Sequence, residues 1–165
     1  MGTEIERKFR VTNDSWREAV VSTASMRQGY LAFGPPAAVR IRVADDSATV
    51  NIKGATLDIV RSEYEYPIST EEARAMLDEL CQGQVICKTR HLVPWEGHTW
   101  EVDVFEGANE GLIIAELELD RPDEPYARPP WIGEEVSGDP RFLNVWLAQH
   151  PYSSWFRGDR MTSPG

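Results

Sequence analysis

Residues 3–11 read TEIERKFRV. In a β-strand, successive side chains point to opposite faces, so Glu4, Glu6, Lys8 and Arg10 share one face. Ile5, Arg7, Phe9 and Val11 take the other. The same alternation returns along the chain. VRIRV (39–43) groups Arg40 with Arg42, TVNIK (49–53) groups Asn51 with Lys53, and CKTRH (87–91) groups Lys88 with Arg90. SEYEY (62–66) groups Glu63 with Glu65, HTWEVDVF (98–105) groups Glu101 with Asp103, and IAELELD (114–120) groups Glu116 with Glu118. The signs sort by strand, and only the first strand carries both. Basic groups converging from several strands would hold a polyanion, because arginine meets phosphate through paired, charge-assisted hydrogen bonds. The carboxylates would repel that anion unless they hold Mg²⁺ or Mn²⁺, hard cations that take oxygen ligands and bridge to phosphates. Carboxylate-held cations beside an Arg/Lys cluster form a constellation for phosphoryl transfer.

Periodicity alone leaves two architectures open. An antiparallel sheet can keep one face dry and one wet, with charges paired across strands. Alternatively, about eight strands close into a barrel with room for one small ligand, the charged face turned inward. A lumen this charged is costly unless ligand, metal and water fill it. Two details favour the barrel. Solvent faces usually mix in Thr, Ser, Gln and Asn, whereas these positions are nearly all ionic, and the signs sort by strand. Seven segments carry the pattern, and MRQGYLAF (26–33) is the place for an eighth strand.

Three helices are signalled between the strands. Ser15 with Glu18 makes a capping box that opens a short helix to about Ser25. Ser69 with Glu72 makes a second, followed by Ala73, Met76, Leu77, Leu80 and Cys81 at helical spacing and stopped by Gly83. Asp139-Pro140 starts a third through Phe142, Leu143, Val145, Trp146 and Leu147, ended by Pro151. FGPPAA (33–38), ADDS (44–47) and EGAN (106–109) read as loops, and the Pro-rich RPDEPYARPPW (121–131) as an excursion over the surface. The fold class expected is α+β: an eight-stranded antiparallel barrel with a few flanking helices that cover its apolar outside.

The chain of 165 residues suits one domain, expected over 1–155, with a flexible tail over 156–165. Its net charge of −10 argues against a nucleic-acid partner unless the basic residues are gathered in one place. The barrel gathers them inside an acidic shell. The two cysteines, Cys81 and Cys87, make a poor disulfide framework, and a reduced, cytoplasmic setting is the simpler reading. No apolar run approaches the ~20 residues of a membrane span, and the charged N-terminus carries no signal peptide. The Arg-Gly-Asp triplet in the tail reads as chance.

EIERKF (4–9) resembles the ExExK signature of the CYTH superfamily, the triphosphate tunnel metalloenzymes. The resemblance continues through RIR (40–42), Lys53, EYEY (63–66), KTR (88–90), EVDVF (101–105) and ELEL (116–119). WIGEEVSGDPRF (131–142) and LAQHPY (147–152) resemble the C-terminal part of the short bacterial members. It covers about residues 3–152 and implies an eight-stranded tunnel that binds a triphosphate with divalent metal. It implies that Lys8, Arg40, Arg42, Lys53, Lys88 and Arg90 hold phosphate oxygens. Glu4, Glu6, Asp103, Glu116 and Glu118 form the pool for two Mg²⁺ or Mn²⁺ ions. Glu63, Glu65 and Glu101 are expected to support the basic residues.

Two routes for activating the attacking water remain open. In one, metal-activated water is oriented by Glu4 and by Glu116 or Glu118; in the other, Lys88 acts as base after its pKa is lowered by neighbouring cations, with Tyr30. Tyr30 has a plain alternative as a packed wall residue. His91 and His98 read as strand surface residues, His150 as a helix end, and the tryptophans as packing outside the barrel. The reaction expected is hydrolysis of inorganic tripolyphosphate to pyrophosphate and phosphate by a monomer or homodimer. The alternatives are thiamine or nucleoside triphosphatase, class IV adenylyl cyclase, and a non-catalytic polyphosphate-binding module.

Overall fold

Alternating sequence becomes nine strands in the computed structural model, which describes residues 2–54 and 58–155. They are β1 (Gly2–Val11), β2 (Ser22–Ala32), β3 (Ala37–Ala44), β4 (Ser47–Gly54) and β5 (Val60–Ile68). After them come β6 (Gln82–Trp95), β7 (His98–Phe105), β8 (Ile113–Glu118) and β9 (Ile132–Glu135). The sheet runs β5-β4-β3-β2-β6-β7-β8-β1-β9, and a further β5–β1 pairing closes the first eight into an antiparallel barrel. Closure removes the open edges that an eight-stranded sheet would otherwise expose. Strand β9 lies outside the ring, paired with the far end of β1 (Phe9 with Glu135, Val11 with Ile132). The eighth barrel strand expected around 26–33 is β2, which begins four residues earlier, at Ser22. The expected tail over 156–165 lies outside the described residues.

Tight turns hold the register. Between β6 and β7, Glu96 and Gly97 both have positive φ (43° and 86°), the conformation that lets a two-residue hairpin loop match the strands' twist. The ADDS turn joins β3 to β4, with Asp45 at φ 51°.

The helical segments depart in part from the sequence patterns. Ser69 caps helix α1 (Thr70–Glu79) as its box predicts, its hydroxyl accepting from the Glu72 N–H at 3.0 Å. The first segment is shorter than expected. It is a 3₁₀ turn, Ser15–Ala19, and β2 takes Ser22 to Ser25 for pairing with β6. Ser15 there is the first residue of the turn rather than its cap, and its own N–H is satisfied by Asn13 Oδ1 at 2.9 Å. The third segment splits into a 3₁₀ turn, Pro140–Phe142, and the single turn α2, Asn144–Leu147. Leu143 is extended between them (ψ 137°), which divides the two turns.

Three apolar clusters hold the fold. Outside β1, β6, β7 and β8, Phe9, Val102, Ala115 and Leu117 are buried under Trp16 and the 121–131 excursion. Tyr126 and Trp131 of that excursion pack on Trp100 with ring centroids 6.0 and 5.8 Å apart. Outside β3 and β4, Ile41, Val43 and Ala48 pack under Ala73 and Leu77 of α1. Close approach beneath the end of α1 requires Gly29, where a Cβ would stand 2.5 Å from Cys81 Sγ.

The third cluster is inside. Tyr30, Ile86, Phe105 and Ile114 occupy inward positions at one end of the barrel, and Phe142, Leu147, Ala148 and Tyr152 of the C-terminal segment pack onto them. The barrel is therefore filled at that end. Among the described residues no helix is long and apolar enough to cross a membrane, and Cys81 and Cys87 are both free thiols.

Candidate active site

Above the filled end, inward side chains enclose a cavity of about 390 Å³. Register builds an acidic wall on three adjacent strands. Glu6 of β1 stands opposite Glu118 of β8, Lys8 opposite Glu116, and Glu116 opposite Glu101 of β7. Arg40 and Arg42 of β3 lie across the lumen, since β3 is four strands from β8 in either direction around the ring. Of the residues expected at the site, Glu4, Glu6, Lys8, Tyr30, Arg40, Arg42, Lys53, Arg90, Glu116 and Glu118 line the cavity.

The two walls are bound differently. On the acidic side, carboxylates and cations interlock. Arg90 donates to Asp103 at 2.8 and 2.9 Å, to Glu116 at 2.8 Å and to Glu101 at 3.2 Å. Lys8 Nζ stands 3.3 Å from Glu116, and Lys53 Nζ 3.3 Å from both Glu4 and Glu63. Across the lumen, neither Arg40 nor Arg42 forms an ion pair among the described residues. Arg42 Nε donates only to Gln28 Oε1, at 2.9 Å, and Arg40 Nε has no partner. A buried Arg40 and a half-buried Arg42 without carboxylate partners are poised for an anion from outside the chain.

Electrostatics follow from this layout. Burial, together with Arg40 and Arg90, lowers Arg42 to about 10. Burial works to raise the Glu116 carboxyl, yet Lys8, Arg90 and Lys88 hold it well below its usual range. Glu4 is likewise held low by Lys53 and Arg61 against the effect of burial. Glu6 is pushed up to about 8 by burial and by the neighbouring charges of Glu116 and Glu4. Glu101 is raised to about 7, mainly by burial, with Arg90 opposing. Burial and the neighbouring carboxylates Glu4, Glu116 and Glu63 also raise Glu118.

The crowded carboxylates suit a metal. Glu4, Glu6 and Glu118 can each bring one oxygen within 4.8 Å of the others, and so can Glu6, Glu101 and Glu116. A cation between them would relieve the repulsion that keeps Glu6 protonated, and an all-oxygen donor set favours a hard divalent ion.

Lys88 and Asp103 sit elsewhere. Both side chains are fully buried, paired at 2.6 Å within the wall, and neither lines the cavity. Asp103 binds Lys88 and Arg90 and belongs to neither acidic group. Burial is the largest influence on Lys88 and brings it to about 7, with Asp103 opposing. Its amine faces Asp103 and Asn144; no hydrogen bond joins it to Tyr30, which packs near Phe33. Glu63 pairs with Lys53, and Glu65 accepts from Asn51 at 2.6 Å. The histidines lie apart: His91 packs on Trp16, His98 meets Glu124 at 2.6 Å, and His150 stacks on Trp146.

Sequence reasoning missed Arg61, Gln28 and Asn144. Arg61 lies 3.2 Å from Glu4 and lines the cavity. Its signal was present, because it shares parity with Glu63 and Glu65 one step before SEYEY. Gln28 likewise precedes Tyr30 by two in β2. Asn144 had no local signal, since only the C-terminal segment's path brings it inside.

Residues 2–143 match the CYTH domain family. An inorganic triphosphatase from Acetivibrio thermocellus is 45% identical over 155 residues, covering 94% of this chain and 99% of its own. An inorganic triphosphatase from Nitrosomonas europaea is 33% identical over 154 residues, covering 88% and 97%. The crystal structure of an inorganic triphosphatase has a TM-score of 0.65 to this fold at 31% identity, covering 90% of this chain and 95% of that one. Closed barrel, opposed charged walls and sequence agree: the chain belongs to the CYTH family, the triphosphate tunnel metalloenzymes.

Proposed function

We propose that this protein hydrolyses inorganic tripolyphosphate to pyrophosphate and phosphate within the barrel, using divalent metal. The observation that carries the reading is the pair Arg40, buried, and Arg42, half-buried, both without carboxylate partners among the described residues and facing an acidic wall across a cavity of about 390 Å³. A triphosphate needs both walls. Its oxygens are taken up by Arg40, Arg42, Lys8, Lys53 and Arg90 through charge-assisted hydrogen bonds. The residues that would hold metal are Glu4, Glu6 and Glu118 in one group and Glu6, Glu101 and Glu116 in the other, with Mg²⁺ or Mn²⁺ the fitting ions and two per site. Bound there, the metal supplies neutralisation of phosphate charge and activation of water.

The chain's own residues supply the rest. Glu116, held ionised by Lys8 and Arg90, accepts from the attacking water and aims it at the end phosphorus. Glu4 supports the same water from β1. The water oxygen bonds to the end phosphorus and the bridging P–O bond breaks, its electron pair leaving with pyrophosphate; one water proton passes by way of Glu116 to the departing pyrophosphate oxygen, and the other stays on the phosphate formed. Lys88 and Asp103, sealed in the wall, fix Arg90 in position. Tyr30 closes the cavity floor. The two 45% and 33% identical relatives named inorganic triphosphatases support this substrate over an organic triphosphate. The acidic surface and reduced thiols support a cytoplasmic enzyme with no nucleic-acid partner.

The test is phosphate release from tripolyphosphate, ATP and thiamine triphosphate in parallel, with Mg²⁺, with Mn²⁺ and with EDTA. The expected result is metal-dependent release, fastest from tripolyphosphate and stopped by EDTA. Faster release from ATP or thiamine triphosphate would keep the site and change the substrate. Tight tripolyphosphate binding without release from any of them would make the protein a binding module.

A further inference from the structure

Asn144 is the first residue of α2, carried into the barrel by the C-terminal segment. It is only 9% exposed and lines the cavity. A relay of hydrogen bonds dictates how its amide lies. Arg42 can only donate, so the Gln28 atom 2.9 Å from Arg42 Nε is the acceptor Oε1. Gln28 therefore turns Nε2 toward Asn144, and the Asn144 atom that meets it at 2.9 Å is Oδ1. Lys88 Nζ stands 3.5 Å from the same oxygen. What remains of the amide is Nδ2. It has no hydrogen-bond partner among the described residues, and it is not sealed away from the cavity. Lys8 Nζ donates to Phe142 O at 3.2 Å, so the segment is held in place from β1 as well as from β2.

We propose that Asn144 is a substrate-binding residue whose Nδ2 donates to the phosphate lying deepest in the barrel, while its Oδ1 positions Lys88 and, through Gln28, Arg42. The assignment rests on the triphosphatase reading. A neutral donor suits this place. It offers a phosphate oxygen one more hydrogen bond without adding a cation beside Arg40 and Arg42, which have no carboxylate partner among the described residues.

The test compares Asn144→Asp with Asn144→Ala in the full chain. Three quantities are read: kcat and KM for tripolyphosphate with Mg²⁺, the Kd of tripolyphosphate by calorimetry in EDTA, and Tm. Asn144→Asp keeps an acceptor for Gln28 and Lys88 but puts an anionic oxygen where Nδ2 was. It should leave Tm at or above the wild-type value while raising KM and Kd by about thirtyfold or more, the scale of a lost hydrogen bond to a charged group. Asn144→Ala should raise KM and Kd by about tenfold and lower kcat, because Lys88 and Gln28 lose their acceptor. A residue that only held the wall together would give the opposite order, with the Asp variant unimpaired and the Ala variant defective. Wild-type KM and Kd in Asn144→Asp would overturn the assignment and leave the triphosphatase reading standing. A wild-type protein that neither bound nor cleaved tripolyphosphate would overturn both.

Discussion

Ile86, Phe105 and Ile114 point into the barrel with the same parity, and on the same strands, as Arg90, Asp103 and Glu116. Two residues along β7 and β8, and four along β6, separate an apolar floor from a charged wall. The floor is packed by Phe142, Leu147 and Tyr152, and burying such side chains contributes about 2–3 kcal/mol each. The cavity works in the other direction. Its charges are taken from water, and their mutual attraction offsets that penalty only where geometry is close, as around Arg90. Arg40 and Arg42 have no such compensation. One end of this barrel stabilises the fold, and the other concentrates charges whose repulsion the chain itself does not relieve.

The largest effect is expected in the ionic end. Glu116→Gln should lower kcat for tripolyphosphate by about a thousandfold, the scale of removing one preorganised electrostatic group, with a smaller effect on KM. Near-normal kcat in a folded variant would remove Glu116 from the reaction. Next in size, Phe142→Ala at the floor should destabilise the protein by about 3–5 kcal/mol in chemical denaturation. Phe142 is only 1% exposed, and Arg10 and Trp155 pack on its ring. A loss well below 1 kcal/mol would mean that the C-terminal segment does not hold the floor.

A third prediction uses pH. Burial, Glu116 and Glu4 raise the folded pKa of Glu6 from 4.5 to about 8. The folded protein then keeps a proton that the unfolded chain releases, so stability falls as pH rises through that window. In EDTA, Glu6→Gln should be more stable than wild type by about 1 kcal/mol or more at pH 8, and the gain should vanish near pH 4.5. An equal difference at both pH values would refute the strain. The smallest effect is expected outside. Tyr66 of β5 is 53% exposed on the barrel's outer face, and Tyr66→Ser should change stability by no more than about 0.5 kcal/mol and leave kcat and KM alone.

Much of this was legible along the chain because strand parity is a local property. Each inward pair, from Glu4/Glu6 to Glu116/Glu118, could be grouped without knowing its neighbours, and Ser69 with Glu72 named the start of α1 from four residues. Arg61 stands just outside the SEYEY alternation, although β5 itself begins at Val60. The expected helix from Ser15 failed for a different reason. Its capping pattern competed with pairing of Ser22–Ser25 to β6, and long-range strand pairing won. Asp103 shared parity with Glu101, so sequence could not tell which of them faces the acidic cluster and which serves Lys88 and Arg90.

What the sequence determined by itself was the charge on each strand face, because alternation needs only the extended backbone. Tertiary structure decided the rest. Closure of β1 on β5 put β3 opposite β8, so that unpaired arginines meet crowded carboxylates across one cavity. The return of the C-terminal segment into the barrel set the depth of that cavity and brought Asn144 to Gln28 and Lys88, 116 and 56 residues away. Such placements depend on contacts between distant parts of the chain, and no local pattern carries them.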